Sequence, residues 1–453
     1  MIKQLCRKRW IFFAMALSLF FSLGCGVANL AINGKAHIQS MSTRSFQTFS
    51  DGSAGSMGSL YDRNGALLYS ATQPAHRAFY SLVGSPQNVI SNSVVTRYSD
   101  SLLGRDGYSL WQGAASLEGT GSDLFLTLDT ETQKAMTTLL EEQGISGLVA
   151  ACDASTGELL CLASTPAAGP EEEISSLPDG ALLNKNLYTT TAGSTMKLVA
   201  TALLVEQAGI EKLRAYGYTC HGADTLRADG TTVTCITRQG PQDIVSALGY
   251  SCNTFFASAI QDLLSVEDTT QALARYGFAS QEEKKPLGLL TYQGSDVRFS
   301  DHTFSSVWSL IGQISEVSPL DMLAFTSALF HQGQAPAPYL VASQTNRTHT
   351  KLQVQTQPVK QSILSGETAD QVASLWTEAY ETYYDQSLYP PAVTAAKTGT
   401  AQVGNRQVNK LLMGYAVELD VAFFLSLENW DSSQISPQEV ASLLLEKLEA
   451  ADT

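Results

Sequence analysis

The longest apolar stretch comes first. Trp10 to Ile32 runs 23 residues without a charge, behind Lys3, Arg7, Lys8 and Arg9. That length spans a bilayer as a helix, and the basic flank sets the N-terminus in the cytoplasm. A cleaved signal peptide is the weaker reading, because the run exceeds the usual core of one and no small-x-small site follows. A tract of Ser, Gly and Ala over 50–59 reads as a flexible tether. Short runs from about 60 to 120 predict a small β-rich pedestal of strands and loops.

Beyond residue 121 the periods lengthen. The runs 133–143, 194–207, 241–264 and 318–332 read as helices. Leu198, Val199, Ala200, Ala202, Leu203, Leu204 and Val205 are apolar nearly all round, which predicts a helix buried in the middle of a domain. Strands are predicted over 147–152, 158–163 and 393–403. Two more, Leu411–Val417 and Val421–Leu427, are joined by a tight turn at Glu418-Leu419-Asp420. Ser436-Pro437-Gln438-Glu439 is a capping box with proline at the first helical position. Val440, Leu443, Leu444 and Leu448 then mark one apolar face suited to packing on those strands. The class is α+β, helices against an antiparallel sheet. The chain divides into a cytoplasmic tail (1–9), a transmembrane helix (10–32), tether and pedestal (33–120) and one large domain (121–453).

Composition narrows the function classes. With 44% hydrophobic and 16% charged residues, a sizeable core is expected. Residues 32–453 carry 24 basic against 43 acidic groups, a net of −19, which argues against nucleic acid as a partner. There is no P-loop or dinucleotide fingerprint, and the six histidines show no metal-ligand spacing, so no cofactor and no metal are predicted. Of seven cysteines, Cys6 and Cys25 lie in or beside the apolar span. Cys152 and Cys161 fall on the two arms of one hairpin, and Cys252 reads as a small buried filler. Cys220 and Cys235 bracket a Gly/Thr loop. A bridge between them is permitted outside the cytoplasm, and spacing alone leaves it open.

Three short motifs carry chemistry: Ser194-Thr195-Met196-Lys197, Ser251-Cys252-Asn253 and Lys397-Thr398-Gly399. A serine hydroxyl is a weak nucleophile until a base takes its proton, and a lysine three residues on lies on the same helix face. Ala192-Gly193 leads in without bulk, so Ser194 sits near a helix N-terminus, where free N–H groups favour developing negative charge. Ser251 can relay a proton. Asn253 can hold a peptide amide by donor and acceptor together. Lys397 with the Thr398 and Thr400 hydroxyls can grip a carboxylate. Gly399 removes the side chain that would block an extended substrate along a strand. Each motif alone is weak; all three in this order are strong.

The chain resembles the class B penicillin-binding proteins, the D,D-transpeptidases of peptidoglycan synthesis, from about Gly58 to Asn429. Ser59-Leu60-Tyr61-Asp62-Arg63-Asn64-Gly65 is similar to their juxtamembrane strand, and Leu126-Thr127-Leu128-Asp129 with Gln133 to the opening of their catalytic domain. Asp153 to Glu158 with Ala163-Ser164-Thr165-Pro166 is similar to the first hairpin. Ile311-Gly312-Gln313 with Ser318 to Met322 is similar to the segment ahead of the third motif. Departures stand at Met57, at Gln239-Gly240 and over Asn409–Tyr415, outside the three motifs. The resemblance implies a penicillin-binding/serine β-lactamase-like domain with an all-helical subdomain that holds Ser251 and Asn253 across a cleft from Ser194.

It further implies Ser194, Lys197 and Ser251 as catalytic residues, and Asn253, Lys397, Thr398, Gly399 and Thr400 as substrate-binding. The oxyanion would be held by the backbone N–H groups of Ser194 and Thr400. Implied partners are stem peptides ending in D-Ala-D-Ala, β-lactams as covalent inhibitors, and a membrane glycan polymerase of the SEDS type. Division, elongation and sporulation roles are equally compatible with this. A D,D-carboxypeptidase would share the first half-reaction. A serine β-lactamase fits less well, since no Glu-x-x-x-Asn signature lies between Cys252 and Lys397. A β-lactam sensor would need an output domain ahead of the span, where nine residues stand.

Overall fold

The computed structural model describes residues 57–85, 89–103, 121–279, 284–345, 351–353, 359–403 and 407–451. The expected span Trp10–Ile32 and the tether as far as residue 56 lie outside them; the last tether residues are instead fixed, the Gly58 N–H donating to the Leu102 carbonyl and the Ser59 N–H to Asp123 Oδ1, each at 2.8 Å. Among the described residues no helix is long and apolar enough to cross a membrane.

A five-stranded antiparallel sheet organises the large domain. Its strands are β1 (Ser146–Asp153), β2 (Leu159–Thr165), β3 (Val393–Val403), β4 (Gln407–Ala416) and β5 (Val421–Glu428), in the order β3-β4-β5-β1-β2. All were predicted within a few residues, and β3 has the bounds that its run of small and β-branched residues gave. Both faces of the sheet are covered, so its strands are apolar on both parities. Val149, Ala151, Phe423, Leu425 and Leu427 face one way, into a cluster with Met136 and Leu140 of α1 (Thr130–Glu142). Val440, Leu444 and Leu448 of α2 (Pro437–Ala451) join the same cluster. The α2 capping box forms as predicted, with Glu439 accepting from the Ser436 N–H and Ser436 Oγ accepting from the Glu439 N–H.

Leu148, Ala150, Cys152, Ala422 and Phe424 face the other way, into the main core. Cys152 and Cys161 therefore lie on opposite faces, although Cys161 pairs with Ala151, the residue before Cys152. The main core holds α3 (Met196–Ala208), buried without interruption from Met196 to Val205. Around it pack α4 (Asn253–Leu263) and α5 (Gly366–Tyr383), and α6 (Pro319–Phe330) bridges α5 to the sheet.

The single helix expected over 241–264 is two. Ile244–Gly249 starts with a capping box in which Asp243 and Ser246 satisfy each other's N–H groups. The chain then turns through Ser251 at φ +58° before α4 starts. A non-glycine residue in that left-handed region ends a helix, and nothing in the apolar periodicity registers it. Two short antiparallel ribbons precede this region: Tyr218–Cys220 with Gly240–Gln242, and Ala223–Thr225 with Thr232–Thr234.

At the N-terminal side, Leu60–Tyr61 pairs with Leu67–Tyr69 and in parallel with Leu124–Leu126, which pairs with Val341–Thr345. Strands from either side of residue 121 thus share one sheet. Helices Arg77–Val83, Val94–Arg97 and Ser99–Leu102 accompany the short strands predicted before it. The fully buried Gln133 ties these parts together. Its Nε2 donates to the Ala78 carbonyl (2.9 Å) and the Leu162 carbonyl (3.1 Å), and its Oε1 accepts from the Leu162 N–H (2.8 Å).

Candidate active site

Ser194 sits in the single 3-10 turn Gly193–Thr195 that leads into α3. Gly193 has φ +52°, and a Cβ there would lie 3.0 Å from Leu411 Cδ1 and 3.4 Å from Thr400 backbone atoms. The turn can press this closely on β3 and β4 only with glycine. Gly399 gives the matching approach from the sheet, since its Cβ would stand 3.4 Å from the Ser194 nitrogen and 3.1 Å from Leu411 Cβ. Ser194 is thereby held against the edge strand β3, beside the backbone of Thr400.

Lys197 Nζ lies 2.7 Å from Ser194 Oγ and 2.8 Å from Asn253 Oδ1. The lysine is fully buried. Burial, and next the charge of Lys397, lower its pKa to about 7, against a smaller opposing pull from the Cys235 and Cys252 sulfurs. A lysine of that kind is substantially neutral at physiological pH and can accept a proton. The Asn253 amide is oriented by its other end, whose Nδ2 donates to the Thr234 carbonyl at 2.9 Å.

Lys397, also buried, points at the second motif from β3. Its ammonium donates to Ser251 Oγ (3.2 Å), Tyr384 OH (3.3 Å) and the Thr398 carbonyl (2.9 Å). Ser251 is carried by the left-handed turn, whose Tyr250 carbonyl accepts from Gln239 Nε2 at 3.1 Å. That contact uses one of the positions at which the sequence departs from the family pattern. Thr400 Oγ1 accepts from Lys410 Nζ at 3.1 Å, and the Lys410 ammonium lies over the Trp430 ring.

All eight residues singled out from the sequence therefore occupy one region. Ser194 and Lys197 come from the centre of the core, Ser251 and Asn253 from the broken helix pair, and Lys397 to Thr400 from the sheet edge. Sequence reasoning missed Tyr384, which follows α5. Its hydroxyl lies 3.3 Å from Lys397 Nζ, accepts from the Thr398 N–H at 3.3 Å and meets Thr398 Oγ1 at 3.3 Å. Burial pushes the Tyr384 phenol up, but the Lys397 charge and the Thr398 hydrogen bonds outweigh it and hold the group below its usual range. The tyrosines at 380, 383, 384 and 389 were the available signal, and no spacing rule ties them to a site.

The five described cysteines are free thiols, so the Cys220–Cys235 bridge left open above is not formed. Cys235 Sγ lies 3.8 Å from Cys252 Sγ.

A serine beside a buried lysine of lowered pKa, at the edge of an antiparallel sheet, defines the class: a serine acyltransferase. A model of the penicillin-binding protein transpeptidase domain matches residues 147–444, and the chain belongs to that family. Its fold is that of penicillin-binding protein A of Mycobacterium tuberculosis, with TM-score 0.73, 20% identity and coverage of 88% of this chain and 100% of that one. The same protein as an imipenem acyl-enzyme gives TM-score 0.75 at 19% identity, covering 88% and 99%. The D,D-transpeptidase domain of a peptidoglycan glycosyltransferase from Eggerthella lenta matches with TM-score 0.71 at 20% identity, again covering 88% and 99%.

Proposed function

We propose that this chain is a membrane-anchored peptidoglycan D,D-transpeptidase that cross-links stem peptides through a Ser194 acyl-enzyme and is acylated by β-lactams. The observation that carries the reading is the 2.7 Å contact between Ser194 Oγ and a fully buried Lys197 whose pKa is lowered to about 7. In the neutral lysine one N–H is taken by Asn253 Oδ1, which leaves the lone pair free for the serine proton.

Ser194 Oγ attacks the carbonyl of the penultimate D-Ala as Lys197 takes its proton. The Ser194 and Thr400 N–H groups hold the oxyanion. Lys397, with the Thr398 and Thr400 hydroxyls, binds the terminal carboxylate, and Asn253 receives the peptide amide. The C–N bond breaks, Ser251 passes a proton to the departing D-Ala amine, and the amine of a second stem peptide then attacks the ester. The position of β3 at the edge of the sheet supports an extended donor peptide lying along it. The apolar run Trp10–Ile32 with its basic flank supports an anchor holding the domain outside the cytoplasmic membrane; a glycan polymerase of the SEDS type beside it rests on the family resemblance.

Fluorescent-penicillin labelling followed by peptide mass spectrometry tests the nucleophile, with the adduct expected on Ser194. Covalent labelling of a Ser194→Ala protein would remove it from that role. Incubation with lipid-linked donor and acceptor strands separates cross-linking from hydrolysis, and release of D-Ala with no dimer would favour the carboxypeptidase instead. The acyl-enzyme with penicillin should persist, because penicillin presents no acceptor amine.

A further inference from the structure

Three cysteines distant in sequence converge behind the second motif, and the reaction just described uses none of them. Cys220 ends the strand Tyr218–Cys220, Cys235 directly follows Thr232–Thr234, and Cys252 is the residue before α4. Their three sulfurs all lie within 4.8 Å of one another. Cys220 and Cys252 are buried, while Cys235 is only partly covered and gives solvent a way in. Cys235 Sγ accepts from the Thr254 N–H at 3.4 Å and Cys252 Sγ from the Phe255 N–H at 3.5 Å, donors that favour sulfur carrying negative charge. Thr254 Oγ1 lies 3.6 Å from Cys235 Sγ and 3.5 Å from Cys252 Sγ, on the rim of the same cluster.

We propose that Cys220, Cys235 and Cys252 form a three-thiolate site for one soft cation of the Zn2+ or Cu+ kind. Sulfurs bound at about 2.3 Å around a tetrahedral zinc stand roughly 3.8 Å apart. The Cys235–Cys252 pair is already at that separation, at 3.8 Å, and Cys220 Sγ stands within 4.8 Å of both. A disulfide would require the same pair to close to about 2.05 Å. No carboxylate belongs to the cluster, which disfavours Ca2+ and Mg2+. The Thr254 hydroxyl or a water completes four-coordination. Each thiol releases its proton to solvent as its metal–sulfur bond forms.

The bound ion clamps three separate segments under the second motif. Thr234, whose carbonyl orients Asn253, immediately precedes Cys235, and Ser251 and Asn253 flank Cys252. The site is thus a structural support for the motif and does not depend on the chemistry assigned to Ser194.

The test titrates the full-length protein, purified in detergent under reducing conditions, with Zn2+ against a chromophoric chelator. Co2+ then serves as the spectroscopic probe. One equivalent per chain is expected, with thiolate-to-cobalt charge-transfer absorption and a Tm raised by several degrees. Cys235→Ser, at the least buried position, should weaken binding by 10-fold or more, and Cys220→Ser is the second variant should the first misfold. Cys152→Ser, on the strand Ser146–Asp153 and outside the three-sulfur cluster, should leave binding unchanged. Absence of stoichiometric binding, or binding unaffected by both Cys235→Ser and Cys220→Ser, would overturn the proposal. So would a Cys235–Cys252 disulfide without bound zinc in protein isolated from zinc-replete cells without reductant.

Discussion

Lys197 Nζ and Asn253 Oδ1 lie 2.8 Å apart, and this contact joins the lysine beside Ser194 to the second motif. It occupies one lysine proton and aims the nitrogen at Ser194. Replacing Asn253 by Ala should therefore slow acylation by penicillin by about 10²-fold, within the range lost when an acid–base group is misplaced. Single-turnover labelling kinetics would measure it. A loss seen only in substrate affinity, with an unchanged limiting rate, would assign Asn253 to binding alone.

The acylation rate should rise with pH through about 7, as Lys197 loses its proton. Below that midpoint the rate should fall about tenfold per pH unit, since only the neutral amine accepts the serine proton. Labelling rates from pH 5 to 9 give the profile. A flat profile would mean that another group is the base.

The same burial makes stability depend on pH. Unfolded, Lys197 keeps its proton to about 10.5; folded, it releases it near 7. Between those values the unfolded state binds more protons, so the wild-type protein gains stability as pH rises, by at most about 1.4 kcal/mol per unit from this group. Lys197→Met removes that slope. The variant should therefore exceed the wild type in Tm most at pH 6, with the gap narrowing toward pH 10. Parallel Tm curves across this range would contradict the assignment.

Thr398→Val and Thr400→Val should slow acylation by carboxylate-bearing β-lactams, and much less that by analogues lacking the carboxylate. Tyr384→Phe, a positioning change acting through Lys397 and Thr398, should follow the same pattern with a loss of about tenfold. Equal losses for both ligand types would detach these residues from the carboxylate.

Ser251 at φ +58° holds a conformation that costs a non-glycine residue about 1 kcal/mol. Ser251→Gly should raise Tm while slowing acylation, whereas Ser251→Ala should slow it without the gain. Calorimetry alongside labelling separates the two effects.

Much of this arrangement was legible in sequence because local pattern and tertiary role coincide. The apolar-all-round run after Lys197 is the central helix α3, and the small, β-branched run around Lys397 is the edge strand β3. Where only tertiary contact decides, the sequence was silent. The break at Ser251 rests on a single backbone angle inside an otherwise helical pattern. Tyr384 reaches Thr398 by hydrogen bonds across 14 residues, and the cysteine cluster draws on two ribbons and a helix start. Cys252, read as a filler, is buried as expected but stands among sulfurs. The two hairpin cysteines stand on its two arms as read, and strand parity sets them on opposite faces.

The Gln133 amide has a mechanical consequence. Both of its ends are engaged in the buried interior, with Ala78 on the N-terminal side and Leu162 in the sheet. Sliding helix Arg77–Val83 against β2 would strand these groups without water, at a cost of about 1–3 kcal/mol for each unmet partner. This joint therefore does not yield under small loads. The same amide thus couples the N-terminal helix to β2, an outer strand of the sheet whose other edge strand holds Lys397.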